Sequence, residues 1–290
     1  MGAAQPLVTI GIPTFQRPEL LARALASVSR QDYSNLQVLV SDNASGGSAT
    51  KRVVDRFKPV IRSLEYVRHE RPVPVTSNFL SLLDRASGEY FMWLADDDEI
   101  SPNYVSCLAA LLEADGDVAC AAGHWVFLRS EGSPGTVERA SNYPERSAMR
   151  RVVRFVWRSD DAFFYGLHRT SVLRQASFRG FWWPNRHILK NWAYVFLLDV
   201  VLRGRVVLSP DPTVQFINHE YTAKSYASHR GSAARVLAFA SRRLNVHYLY
   251  WDKCARRLSP FVMPLIVGTS MVSLCREALG LIVRALARKS

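Results

Sequence analysis

The chain has few cysteines, no cysteine pair at metal-binding spacing and no uninterrupted apolar run of membrane-spanning length. Each of these gaps excludes something. Cys107, Cys120, Cys254 and Cys275 form no CxxC and fall mostly within apolar stretches, so reduced, buried thiols are expected rather than disulfides or a zinc site. Met1 to Pro6 is a short polar stretch without the basic-then-apolar pattern of a secretion signal, and strand character begins at Leu7. The longest apolar stretch, in residues 260–290, is broken by Arg276 and Glu277 before the roughly 20 residues that a bilayer span requires. Acids are also in deficit. With 37 Lys and Arg against 25 Asp and Glu, the chain carries a formal charge of +12, which calls for an anionic partner. No nucleic-acid motif accompanies that charge, and the basic residues concentrate late in the chain, so a membrane face is favoured, with phosphorylated substrates second and nucleic acid excluded as a partner.

What is present is a folded chain of 290 residues, 48% hydrophobic, enough for one large core or a core with a small appendage. Its centre is the stretch YFMWLADDDE from Tyr90 to Glu99. Phe91 to Leu94 predict a short buried strand, and three consecutive carboxylates on a loop follow it. Carboxylates this close repel one another and raise each other's pKa unless a cation is bound. Hard oxygen ligands suit Mg²⁺ or Mn²⁺. The plainer alternative is an acidic start to a helix beginning at Ser101-Pro102, where carboxylates complement the helix dipole.

Upstream, LVTIGI from Leu7 to Ile12 reads as a doubly covered parallel strand, and Pro18 opens a helix with Leu20, Leu21, Ala24, Leu25 and Val28 at helical spacing. The plan repeats: strand Leu36 to Val40 into Asp42 and Asn43, helix Thr50 to Phe57, strand Leu64 to Val67, and a helix marked by Val75, Phe79, Leu82, Leu83 and Ala86. Alternating strands and helices imply an α/β fold with a mostly parallel sheet, whose ligands bind beyond the carboxyl ends of the strands. Thr14, Asp42 and the Asp96 to Asp98 run all fall there.

The segments IPTFQRPELLARALASV, VLVSDNAS, YVRHERPVPVTSNF and YFMWLADDDEISPNY, in this order, resemble the successive motifs of family 2 glycosyltransferases, closely over the first third of the chain and more loosely to about residue 225. The resemblance implies a Rossmann-like sheet of the GT-A type, an inverting transfer from a nucleotide-diphospho-sugar, by default a UDP-sugar, and Mn²⁺ or Mg²⁺ as cofactor. It implies that Pro13, Thr14, Phe15 and Arg17 hold the nucleotide, that Asp42 meets the base, and that Arg71 and Asn78 face the nucleotide. It also implies that Asp96 and Asp98 form the metal-binding pair, with Asp97 or Asp96 nearer the ribose and His219 completing the metal's ligands. Lys224 and Tyr226 could meet the diphosphate. The chain departs from the family where relatives carry Asn-x-Gly and it has Arg71, Pro72, Val73 and Pro74. It departs again where the family places a catalytic acid, a position that aligns with Asn191. An amide cannot accept the acceptor's proton, so either the register of this match is shifted, or Asp161, Asp160 or Glu220 serves instead, or the acceptor is held in a different geometry, with Asp199 a weaker candidate because a mid-helix acid is expected in a structural ion pair.

Residues 130–147 are polar and turn-rich, a loop able to border an acceptor, and FFYGLHRTSVL reads as strand then helix. The expected division is a transferase domain over residues 1–228 and an amphipathic helical region over 229–290 that lies on a membrane or contacts another subunit. The function expected is sugar transfer to a glycan or lipid-linked acceptor in cell-surface polysaccharide synthesis, by a cytoplasmic protein at the inner membrane face. The competing reading, motivated by Asn191, is a non-catalytic relative that binds nucleotide-sugar or glycan and acts as an assembly partner.

Overall fold

The computed structural model describes residues 5–128, 134–138, 141–158, 161–176, 192–210, 214–218, 244 and 246–286. Its main sheet has seven strands in the order β10-β6-β9-β4-β1-β2-β3. The first half is the expected alternation: β1 (Val8–Thr14), α1 (Pro18–Val28), β2 (Leu36–Asp42), α2 (Ala49–Phe57), β3 (Leu64–Arg68), α3 (Val75–Arg85) and β4 (Tyr90–Trp93). β1 lies between β2 and β4 and runs parallel to both. From β1 the chain steps outward to β2 and β3, then returns to place β4 on the other flank. A crevice opens beyond the strand ends where the winding reverses.

Both faces of these strands are buried, which is why they read as continuous apolar runs. Val8, Ile10, Ile12, Val38, Val40 and Met92 pack under α1 and α4 (Tyr104–Ala114), while Leu39, Phe91 and Trp93 face α3. Gly11 makes room on that second face. A Cβ there would stand 3.0 Å from Leu82 Cβ and 3.0 Å from the Phe91 ring, so glycine lets α3 approach the sheet closely.

The second half departs from a simple parallel plan. β6 (Val118–Ala122) and β10 (Arg205–Leu208) pair in parallel at the sheet edge, but β9 (Leu167–Arg169) inserts between β4 and β6 and is antiparallel to both. The stretch expected as strand then helix is a 3₁₀ turn (Ala162–Tyr165), this short strand, and α6 (Thr170–Arg174). A second, four-stranded sheet runs β5 (Asp98–Ile100), β11 (Val214–Asn218), β7 (His124–Leu128) and β8 (Pro134–Glu138). Two expectations are corrected by it. The polar stretch 130–147 contains strand β8, held by antiparallel pairing with β7, and Asp98 is not on a loop but opens β5 against β11. Local composition could not show either, because both strands exist through pairing with distant segments. The helix after the aspartates starts at Tyr104 rather than at Ser101.

α5 (Ala148–Arg158) and α7 (Trp192–Arg203) cover the sheet on the α3 side, joined by helical residues 246–255 (α8) and by α9 (Met263–Leu286), which packs against α5. The expected domain division at residue 228 lies outside the described residues.

Candidate functional site

At the carboxyl end of β1 the chain turns sharply. Gln16 takes a left-handed φ of 56° and donates its backbone N–H to Ser45 Oγ at 2.8 Å. Such backbone costs free energy in a non-glycine residue and persists where surrounding contacts impose it. The turn leaves Thr14 at the end of the strand, Phe15 partly in solvent, and Arg17 just before α1. At the end of β4, Ala95 to Asp98 form a tight turn, with the Asp98 N–H donating to the Ala95 carbonyl at 3.1 Å.

These two turns meet. Thr14 Oγ1 donates to Asp96 Oδ2 at 2.7 Å, and Arg17 Nη1 donates to Asp96 Oδ1 at 3.1 Å while standing 3.6 Å from Asp97 Oδ2. Asp96 is almost wholly buried. Burial pushes its carboxyl up to about 6, against the pull of the Thr14 hydrogen bond and the Arg17 charge. Arg17 is thus the positive group among these acids. Glu99 is turned away to α1, where Arg23 Nη2 donates to it at 2.5 Å.

A crevice of about 310 Å³ opens here. β1 and the following turn supply Pro13, Thr14, Phe15 and Arg17; β4's end supplies Ala95, Asp96 and Asp97; α3 supplies Val75, Asn78 and Phe79; Asn43 and Tyr165 complete it. Seven of the residues expected to hold the nucleotide therefore share one cleft. The expectation did not include Asn43, Val75, Phe79, Ala95 or Tyr165. Asn43 had a signal, since it directly follows Asp42 at the end of β2; the other four are brought in by tertiary packing.

Asn43 also explains the proline-rich loop. Its side chain both donates to the Val73 carbonyl at 3.0 Å and accepts from the Val73 N–H at 2.8 Å, so the loop before α3 is pinned to the end of β2. Arg71 in that loop is exposed and does not line the crevice. Asn78 lies at its wall, with its Oδ1 accepting from Ser41 Oγ at 2.6 Å. Asp42 is buried behind the crevice, its carboxylate accepting from Tyr66 Oη at 2.6 Å and from the Ser45 N–H at 2.8 Å.

Tyr165 joins the second half of the chain to the site. Burial, followed by the carboxylates of Asp98, Asp97, Asp161 and Asp96, pushes its phenol well above the usual range. Asp161 opens the 3₁₀ turn bearing Tyr165 and does not line the crevice. Phe79 and Tyr165 rest on an aromatic cluster in which Trp93 and Phe164 stack with centroids 4.6 Å apart. Asp199 is no catalytic candidate: it is buried in ion pairs with Arg203 and Lys253, as its mid-helix position suggested. Asp160, Asn191, His219, Glu220, Lys224 and Tyr226 lie outside the described residues.

The donor set fits a hard divalent ion in kind. Mg²⁺ is commonly held by one or two carboxylates and completes its shell with water and phosphate oxygens. Asp96 and Asp97 offer such oxygens at the crevice, and Arg17 marks the place as one that needs positive charge. Among the described residues no three His, Cys, Asp or Glu side chains converge as a ready cage.

An open, mostly parallel α/β sheet flanked by helices, with a crevice beyond the ends of β1 and β4, has the layout of the GT-A type fold. Comparison with known proteins makes the class specific: residues 9–178 match the family described as Glycosyl transferase family 2, and the chain belongs to it. Among curated relatives, a GalNAc(5)-diNAcBac-PP-undecaprenol beta-1,3-glucosyltransferase of Campylobacter jejuni is 34% identical over 104 residues, 36% of this chain and 33% of that one. An abequosyltransferase of Salmonella typhimurium is 29% identical over 119 residues, covering 39% and 34%. The chain spans about a third of the length of these relatives. Among solved structures, S. aureus TarS 1-349 superposes with a TM-score of 0.67 at 15% identity, covering 92% of this chain and 71% of that one. A Pyrobaculum calidifontis mannosyltransferase in complex with GDP-Man and Mn²⁺ does so with 0.53 at 15% identity, covering 98% and 81%.

Proposed function

We propose that the protein is an inverting, metal-dependent glycosyltransferase whose domain over residues 1–228 moves a sugar from a nucleotide-diphospho-sugar, a UDP-sugar by default, to a hydroxyl of a glycan or lipid-linked acceptor in cell-surface polysaccharide synthesis. The observation that carries this reading is the meeting of Thr14, Arg17, Asp96 and Asp97 at the winding reversal of the sheet, in a family of glycosyl transferases. Pro13, Thr14, Phe15, Asn43 and Asn78 would flank the nucleotide, with Asp42 behind them and Arg71 reaching in from its exposed loop.

Asp96, Asp97 and Asp98, with His219, would hold Mn²⁺ or Mg²⁺. Bound there, the ion supplies positive charge to the departing diphosphate. Arg17 supplies the same sign from the protein. For the base we assign Asp161 first, ahead of Asp160 and Asn191, because it opens the 3₁₀ turn that carries the crevice residue Tyr165. It would take the proton of the acceptor hydroxyl as that oxygen attacks the anomeric carbon on the face opposite the leaving group, giving inversion. A C. jejuni relative is named for an undecaprenol-linked acceptor. An acceptor of that kind would place the reaction at the cytoplasmic face of a membrane.

The test is a panel of nucleotide-sugars incubated with the protein and Mn²⁺, read as release of free nucleoside diphosphate, which needs no acceptor. One donor should be hydrolysed well above the others, and Asp96→Asn should abolish the release. Binding of nucleotides by calorimetry with no hydrolysis of any donor would favour the non-catalytic reading, and neither binding nor hydrolysis would overturn both. Asp161→Asn should lower transfer to an acceptor by about a hundredfold or more while leaving nucleotide affinity in place.

A further inference from the structure

α9 is turned inside out. Its face against the domain carries Ile266, Ser270 and Ser273, each with no exposed surface, and the two serines are used as hydrogen-bonding groups. Trp251 Nε1 donates to Ser270 Oγ at 2.9 Å, and Ser273 Oγ donates to the Trp157 carbonyl at 3.2 Å. The opposite face bears Leu265, Met271 and Val272, each about half exposed, with Phe261 just ahead of the helix 94% exposed. Phe261, Leu265 and Val272 follow one another at four- and seven-residue intervals with Met271 beside Val272, so they form an apolar stripe on the water-facing side of the helix. The packing of α9 on the domain through Ile266 and the two serines leaves that apolar stripe uncovered.

Its surroundings say what covers it. α5 lies alongside and contains Arg150, Arg154 and Arg158 without a single acid, Arg154 being paired with Glu145 just ahead of the helix. Leu265 and Thr269 of α9 share a cleft of about 340 Å³ with Met149, Val153, Arg150 and Arg154 of α5. Arg276 stacks 4.8 Å above the half-exposed Trp157 ring at the far end of α5. From Lys253 to Arg276 the sequence holds no Asp or Glu. Two copies meeting stripe to stripe would therefore bring like charges together, whereas an anionic lipid surface would neutralise them. No helix among the described residues is long and apolar enough to cross a membrane.

We propose that the face formed by α9 and α5 docks on anionic lipid, with Phe261, Leu265, Met271 and Val272 entering the boundary between headgroups and acyl chains and Arg150, Arg158 and Arg276 meeting lipid phosphates. The assignment shares with the transferase reading only its location. Vesicle binding requires neither donor nor acceptor, so the two can fail separately.

The experiment uses the full chain and co-sedimentation with vesicles of equimolar phosphatidylglycerol and phosphatidylcholine or of phosphatidylcholine alone, alongside light scattering. The parent should bind the anionic vesicles, bind the neutral ones at least tenfold more weakly, and dissociate with added salt. Leu265→Glu with Val272→Glu, and separately Arg150→Glu with Arg158→Glu, should each lower binding about tenfold or more at an unchanged melting temperature, since all four side chains lie on the surface or line the open cleft. Absence of binding by the parent, or undiminished binding by either double variant, would overturn the proposal. So would a stable dimer that Leu265→Glu with Val272→Glu splits and that ignores vesicles, because the stripe would then be a subunit interface.

Discussion

Asp96 ties together the turns at the ends of β1 and β4. It is buried and carries a hydroxyl on one oxygen and a guanidinium on the other. A divalent ion held by Asp96 and Asp97 would lie beside the Arg17 guanidinium and share its acceptor oxygen, so the two positive charges would oppose each other. Arg17→Ala is expected to tighten Mn²⁺ binding in the absence of nucleotide by roughly tenfold, the size of one hydrogen bond to a charged group. Electron paramagnetic resonance titration of free Mn²⁺ measures this directly. Unchanged or weaker affinity in the variant would show that Arg17 and the ion occupy separate places. The same guanidinium is expected to serve the diphosphate, so nucleotide affinity should fall in Arg17→Ala while ion affinity rises.

Among the elements, α7 and α8 are joined by charge as well as by packing. Asp199 has no exposed surface and pairs with Arg203 Nη1 at 2.9 Å, with Lys253 Nζ, and with Arg257 Nε at 3.6 Å. Lys253 Nζ also donates to the Val195 carbonyl at 2.9 Å. Burial pulls the Lys253 amine down, and the Asp199 charge beside it pulls it back up. Removing one partner strands the others in an apolar setting, so Asp199→Asn is expected to cost about 3 kcal/mol or more. Adding Lys253→Met to that variant should recover about half or more, because the stranded charge is gone and its apolar stem is kept. Urea denaturation of the parent, the single variant and the double variant tests this: a double variant no more stable than the single would show that the stranded Lys253 charge is not the source of the loss, and a single variant as stable as the parent would show that α8 is held by packing alone.

At the scale of the whole molecule, α9 belongs to the same core as the sheet. Ile266 is fully buried and joins the cluster containing Trp93, Phe155 and Phe196. A chain ending at Ser259 loses that burial and bares Val153 and Trp157 on α5, a loss of about 2 kcal/mol for one side chain of this size. Its thermal midpoint should fall by roughly 5 °C. Scanning calorimetry on both chains measures it. An unchanged midpoint would mean that the C-terminal helices form a separate appendage, as a division near residue 228 implies.

The alternation of strand and helix in the first half and the arrival of Thr14 and Asp96 at one edge of the sheet were legible in the sequence, because β1, β2 and β4 are short apolar runs and each is followed at once by a candidate site residue. A doubly covered parallel strand must be apolar throughout, and its ligand-facing residue must come at its end, so one dimension carries both facts. The antiparallel insertion of β9, the small sheet that holds Asp98, and the crevice walls from Phe79 and Tyr165 had no such local mark. They depend on pairing and packing between residues dozens of positions apart. The fate of α9 shows the division most clearly. Its sequence determined an amphipathic helix flanked by cations, with two serines among apolar residues, and left open which face would turn inward. Only the tertiary structure decided that, because Trp251 and Trp157 offer hydrogen-bonding partners to Ser270 and Ser273, and a buried hydroxyl goes where its partner is.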